Sequence, residues 1–189
     1  MEVINQSNYE NLGLVVWLTG LSSAGKTTIA KHTEVELVKL GLNTIILDGD
    51  YLRNGLNSDL GFTSEDRKEN IRRSAEVAKL FYLKGFITLC SFISPCANDR
   101  KVVRDLILKE RFIEVYIKCS IDECLKRDIK GLYKKALNFE ISNFTGISSP
   151  YEIPTNPELV IDTEQHSIEQ SVSLLVEKCT QLYRNKTLM

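Results

Sequence analysis

Gly20-Leu21-Ser22-Ser23-Ala24-Gly25-Lys26-Thr27 places two glycines, a lysine and a hydroxyl at the spacing G-x-x-x-x-G-K-[ST]. Glycines let consecutive backbone N–H groups turn inward, and such a concave row of donors holds phosphate oxygens. A helix starting at Lys26 adds the partial positive charge of its N-terminus at the same point. The Lys26 amine then reaches the β- and γ-phosphates of a nucleoside triphosphate, and the Thr27 hydroxyl ligates Mg²⁺; the phosphate-holding set runs from Gly20 to Thr28. Further along, Asp48-Gly49-Asp50 sets two carboxylates on either side of a glycine. One carboxylate can hold Mg²⁺ waters while the other orients an attacking hydroxyl. Asp48 is assigned to the metal and Asp50 to the hydroxyl. The alternative is a strand-ending turn whose aspartates are merely solvated.

These groups meet only if strands and helices deliver them to one edge. Leu14 to Thr19 (LVVWLT) is a short apolar run that predicts a buried strand ending at Gly20, and helical spacing follows from Lys26 to about Leu40. Thr44 to Leu47 predicts the second strand, with the aspartate pair at its carboxyl end. A long helix is expected from about Ser64 to Lys84, with Thr63 and Asp66 at capping-box spacing and Ile71, Ala75, Ala78 and Phe81 on one face. Phe86 to Ile93 and Phe112 to Ile117 read as strands, Val102 to Lys109 as helix, Leu159 to Ile161 as an edge or final strand, and Ser167 to about Tyr183 as a closing helix. Alternation of nearly continuous apolar strands with helices predicts a three-layer α/β fold of the P-loop NTPase type, with a mostly parallel sheet and helices on both faces. The expected organisation is an extension over 1–12 and a single domain over 13–189. Residues 129–157 lack period and hold Gly131, Gly146, Pro150, Pro154 and Pro157, which predicts a long lid loop.

Composition narrows the partners. With 189 residues and 43% hydrophobic content, one sizeable core is expected. A net charge of −1, from 24 basic and 25 acidic residues, gives no global field for a nucleic acid polymer or an anionic membrane. The polar N-terminus is not a secretory signal, and no apolar run is long enough to cross a bilayer. Five cysteines without paired spacing predict free thiols in a reducing cytoplasm. No Asn-Lys-x-Asp guanine-reading tetrapeptide occurs. A compact chain with a late lid suits a small-molecule kinase, since a lid excludes water from the transferring phosphoryl group.

Further blocks carry a resemblance. DGD followed by Arg53, GLNSDLGF at 55–62, SEDRKENIRR at 64–73, FISP at 92–95, RDIKGLYKKA at 127–136 and NFTGISSPYE at 143–152 resemble, in this order, the adenylyl-sulfate kinases, over roughly residues 13–162. The resemblance implies transfer of the ATP γ-phosphate to the 3'-hydroxyl of adenosine 5'-phosphosulfate, with Mg²⁺ as cofactor. It implies that Asp50, Arg53, Arg67, Asn70, Ile93, Ser94, Lys130 and Asn143 contact that substrate, and that Phe62 and Phe144 sandwich its adenine. Guanidinium groups suit the phosphosulfate, and aromatic rings suit a base with two apolar faces. Arg127 is expected against the ATP base. Ser94 is the position that the family labels as a phosphoserine intermediate; direct in-line transfer needs no such step, and a substrate contact is the preferred reading. Phe62 as a hydrophobic staple, Arg67 as a solvated side chain and Arg127 as a helix-end cation are the structural alternatives. His32 and His166 are expected to be structural or exposed. The family further implies a homodimer, and functional coupling to a sulfate adenylyltransferase is the partner relationship that it suggests.

The sequence departs from the family pattern at Ser23, where glycine is usual, at Tyr51 for asparagine, and at Leu137-Asn138-Phe139 for Arg-Ala-Gly. Two rival functions stay open: another nucleotide or small-molecule kinase, and a non-catalytic nucleotide-binding regulator. Retention of Lys26, Thr27, Asp48 and Asp50 together weighs against the regulator.

Overall fold

The computed structural model describes residues 12–184. Five parallel strands, β1 (Leu14–Thr19), β2 (Thr44–Asp48), β3 (Ile87–Ser91), β4 (Phe112–Lys118) and β5 (Leu159–Asp162), form one sheet in the order β2-β3-β1-β4-β5. Strand β1 is buried at every residue because neighbours flank it on both sides and helices cover both faces.

The period of two along the strands sorts their side chains between two cores. Leu14, Val16, Leu18, Ile87, Leu89, Ile113, Val115 and Ile117 point to one face. There they meet Ile29, Ala30 and Leu37 of α1 (Lys26–Lys39) and Leu175 and Cys179 of α7 (Ile168–Arg184). Val15, Trp17, Cys90 and Phe112 point to the other. They pack on Ile71, Ala75 and Ala78 of α3 (Ser64–Leu83) and Val103 of α4 (Ala97–Leu106). This is the three-layer α/β architecture that the alternating pattern predicts.

The chain leaves β1 for β2 on one side and later returns to β4 on the other, so strand order reverses at β1. In open parallel sheets the crevice beyond the carboxyl ends at that reversal is the ligand site. The glycine-rich loop sits there, between β1 and α1.

Several boundaries differ from expectation. Leu12, assigned to the extension, is 3% exposed and belongs to the core; the rest of the expected extension, 1–11, and the end of the expected domain, 185–189, lie outside the described residues. Helix α4 spans Ala97–Leu106, so it holds Val102 to Leu106 of the expected helix and ends before Ile107 and Leu108. Two short helices, α5 (Ile121–Lys126) and α6 (Leu132–Leu137), have no periodic signature. Helix α6 interrupts the segment read as a long loop. The Asp128 carboxylate accepts from the N–H groups of Leu132, Tyr133 and Lys134 at 2.9, 2.8 and 3.2 Å and so starts that helix. Tyr133 and Ala136 carry α6 into the main core. The short α2 (Gly49–Arg53) follows β2 directly.

Candidate active site

Gly20 and Gly25 shape the loop. A Cβ on Gly20 would lie 2.5 Å from the Ile117 carbonyl oxygen, and Gly25 has φ 105°, so neither position accepts a side chain without strain. The Lys26 amine folds back into this loop, donating to the carbonyls of Gly20 and Leu21 at 3.0 and 2.6 Å. Burial lowers its pKa to about 8, offset in part by the nearby Cys124, Asp50 and Asp48. Ala24 is buried, Leu21, Ser22 and Ser23 are half-buried, and Thr28 faces solvent. Ser23 has φ 61°, a left-handed conformation.

Strand β2 brings Asp48 to Thr27. The Thr27 hydroxyl donates to Asp48 Oδ2 at 2.7 Å and lies 3.2 Å from the Ser91 hydroxyl. Asp48 Oδ1 accepts from the N–H groups of Asp50 and Tyr51 and caps α2, so one carboxylate both ends the strand and faces the loop. Asp50, in the first turn of α2, projects into solvent and pairs with the Lys130 amine. The hydrogen bond to Asp50 raises the Lys130 pKa.

Three arginines border the crevice. Arg53 donates to the carbonyls of Leu60 and Gly61 and lies over the Phe62 ring, its Cζ 4.4 Å from the centroid; Phe62 is 60% exposed. Arg67 donates to the Phe62 carbonyl, to the Thr145 hydroxyl at 2.6 Å and to the Asn143 carbonyl, tying α3 to residues 143–145. Burial lowers the pKa of both guanidiniums. Arg127 donates to Glu123, to the Thr163 hydroxyl and to the Thr163 carbonyl, and that hydroxyl donates to the Ala24 carbonyl, so Arg127 is linked to the phosphate loop through Thr163.

Asn70 is buried, its Oδ1 accepting from Asn57 Nδ2 at 3.0 Å. Asn143 is exposed with φ 56°, and Ile93 is half-buried. Two residues sit deeper than a ligand-facing role suggests. Phe144 is 9% exposed and meets Tyr133 edge to face, with centroids 4.9 Å apart, so this loop phenylalanine is a core residue. Ser94 is 2% exposed with φ 38°, and its hydroxyl accepts from Trp17 Nε1 at 3.1 Å.

Residues that local pattern does not single out also build the site. The Tyr133 hydroxyl donates to the Ser22 carbonyl at 3.1 Å, joining α6 to the phosphate loop. Thr163 and Tyr133 act over sequence separations too long for any motif to reveal. His32 and His166 lie outside these contacts, among the described residues.

A parallel sheet reversing at β1, a G-x-x-x-x-G-K-T loop at that reversal and a carboxylate on its threonine define a phosphate-loop kinase. The family model for adenylylsulphate kinase matches residues 12–162, and the chain belongs to that family. The adenylyl-sulfate kinase of Clostridium kluyveri is 53% identical over 165 residues, covering 87% of this chain and 82% of that protein. That of Staphylococcus epidermidis is 56% identical over 162 residues, covering 86% and 81%. The structure of the Mycobacterium tuberculosis APS kinase CysC in complex with AMPPNP and APS superposes with a TM-score of 0.86 at 41% identity, covering 90% of this chain and 98% of that one. No helix among the described residues is long and apolar enough to cross a membrane.

Proposed function

We propose that this chain transfers the γ-phosphate of ATP to the 3'-hydroxyl of adenosine 5'-phosphosulfate, giving 3'-phosphoadenylyl sulfate and ADP. The juxtaposition of Thr27 with Asp48 beside the phosphate loop carries the reading, since a pure binding module has no need of it. Kinship with enzymes of that name, one of them captured with AMPPNP and APS, supports the choice of substrates.

Mg²⁺ fits the residues present. The Thr27 hydroxyl and Asp48 carboxylate are hard oxygen donors beside a phosphate cradle, and no cluster of three metal-ligating side chains occurs among the described residues. Such a sparse set suits a cation that keeps waters and takes most other ligands from phosphates. Thr27 would hold it directly and Asp48 would hold it or its waters; when bound, it neutralises charge on the β- and γ-phosphates.

The loop backbone and Lys26 bind the triphosphate, and Asp50 orients the 3'-hydroxyl. In the in-line step the 3'-oxygen bonds to the γ-phosphorus, the bond from that phosphorus to the β,γ-bridging oxygen breaks, and the hydroxyl proton passes to Asp50 or to water. Arg53, Arg67, Asn70 and Lys130 receive the phosphosulfate and nucleoside, together with Asn143 and the Ile93-Ser94 turn. Phe62 offers an exposed ring for the adenine, while Phe144 forms the deeper wall against Tyr133. Arg127 and Thr163 face the ATP side. Residues 129–157 serve as the lid, and Lys130 on Asp50 marks where it meets the acceptor site. We assign the reaction to the cytoplasm, where the five free thiols suit a reducing solution. Homodimer formation and coupling to a sulfate adenylyltransferase belong to the same reading.

Incubation with Mg·ATP and adenosine 5'-phosphosulfate, with chromatographic analysis of the product, tests the proposal. A nucleotide carrying a new 3'-phosphate is expected. Phosphate on another position, or an unchanged acceptor, contradicts it.

A further inference from the structure

The turn that follows β3 is held by its carbonyls. The Thr19 hydroxyl donates to the Ile93 carbonyl at 2.7 Å, Arg100 Nη1 donates to the Ser94 carbonyl at 2.8 Å, and the Glu152 N–H donates to the Pro95 carbonyl at 2.9 Å. Three successive acceptors are thus taken, two by residues distant in sequence, Thr19 and Glu152, and one by Arg100 of the helix that follows the turn. Arg100 is 4% exposed, and it also donates to Glu114 at 2.9 Å and to the Glu152 carbonyl at 2.7 Å. The Tyr151 hydroxyl lies 2.9 Å from Thr19 Oγ1. Because a threonine has one proton and Thr19 gives it to Ile93, Tyr151 is the donor in that contact.

Ser91 and Phe92, just before the turn, lie beside Thr27 and the Asp48-Gly49-Asp50 corner. The Ser91 hydroxyl is 3.2 Å from Thr27 Oγ1. The Phe92 ring lies against Gly49, between Asp48 and Asp50, close enough that a Cβ there would be 3.0 Å from Phe92 Cδ1. Trp17 stacks on Phe92 at 4.8 Å and donates to Ser94. With φ 38° at Ser94, this turn is not a conformation that the chain holds unaided.

We infer that Tyr151 is a positioning residue: through the Thr19 hydroxyl it couples residues 146–153 to the Ile93-Ser94-Pro95 turn, and through Phe92 it fixes the Asp48-Gly49-Asp50 corner that receives the acceptor. The assignment to the acceptor rests on the proposed function; the coupling itself does not. Arg100 supports the same turn from beside Tyr151, its Cζ 5.8 Å from the centroid of that ring, and Thr19, immediately before the phosphate loop, is the hub.

Trp17 is the sole tryptophan, so its fluorescence reports the turn without any substrate. Tyr151→Phe removes one hydroxyl and keeps the ring. It is expected to red-shift Trp17 emission and to raise KM for adenosine 5'-phosphosulfate about tenfold, while KM for ATP stays within about twofold. Thr19→Val should do the same, Thr19→Ser should restore both readouts, and the Thr19→Val/Tyr151→Phe double variant should be no worse than Thr19→Val alone. An unchanged Trp17 spectrum in Tyr151→Phe overturns the coupling. A shifted spectrum with an unchanged acceptor KM, or with both KM values raised alike, overturns the positioning role. A wild-type protein inactive on this acceptor whose Trp17 still responds to Tyr151→Phe would support the coupling and refute the function on which its acceptor assignment rests.

Discussion

The Thr27 hydroxyl donates to Asp48 Oδ2 at 2.7 Å while the other oxygen of the same carboxylate caps α2. One side chain therefore sets the metal side of the site and the start of the helix that carries Asp50. Asp48→Asn keeps a capping oxygen and loses the charge. It is expected to lower kcat about 10- to 100-fold with little change in Tm. Steady-state kinetics and thermal melts on the same preparation check both halves; full activity in the variant would remove Asp48 from the metal site.

Lys26 titrates near pH 8 in the free protein because burial disfavours its charged form. Phosphates stabilise the ammonium and raise its pKa on binding. Triphosphate binding therefore takes up a proton once the pH passes about 8, and ATP affinity falls as pH rises further, by up to about tenfold per unit until the bound-state pKa is reached. Stability has the opposite trend: between pH 8 and the unfolded value of 10.5, the unfolded chain holds the extra proton, so this group makes the fold more stable as pH rises. Calorimetric titrations in buffers of different ionisation enthalpy measure the proton uptake directly.

Two departures from the family pattern fall where the backbone is left-handed. Ser23 has φ 61°, and Phe139, 95% exposed, has φ 60° just past the end of α6. Both stand where the family pattern has glycine, the residue that adopts this conformation freely. Ser23→Gly and Phe139→Gly are each expected to stabilise the protein by about 0.5–1 kcal/mol, the relief of strain exceeding the added unfolded-state entropy. Chemical denaturation reads this; a loss of stability in both would contradict the strain.

Ser94 presents its hydroxyl to Trp17 in a buried setting. Ser94→Ala leaves the indole N–H without a partner and is expected to destabilise by about 1–3 kcal/mol while retaining substantial turnover. Intact-mass analysis after incubation with Mg·ATP should find no stoichiometric phosphate on the wild-type protein. Near-total loss of turnover with intact substrate binding would restore the covalent route.

The strands and the phosphate loop are legible because each is local: β1 is six buried residues in a row, and the glycine-lysine-threonine spacing sits between it and a helix. Helix α5 was also within reach, since Ser120 and Glu123 have capping-box spacing and the Ser120 hydroxyl accepts from the Glu123 N–H. Six residues carry too little period to announce either α5 or α6, and the cap of α6 comes from Asp128, outside its first turn. The burial of Phe144 depends on Tyr133, and that of Ser94 on Trp17, contacts that no window of sequence contains. The Tyr151 link to Thr19 spans 132 residues, and nothing in SSPYE distinguishes a tyrosine that orders another loop from one on the surface.

The proposed reaction is tested most directly by ADP release from purified protein with Mg·ATP, comparing adenosine 5'-phosphosulfate, AMP and no acceptor, with Lys26→Ala as control. Turnover with adenosine 5'-phosphosulfate alone, abolished in Lys26→Ala, is the predicted result. Preference for AMP would make the protein a nucleotide kinase, and the absence of acceptor-dependent turnover would contradict catalysis altogether and favour a nucleotide-binding regulator.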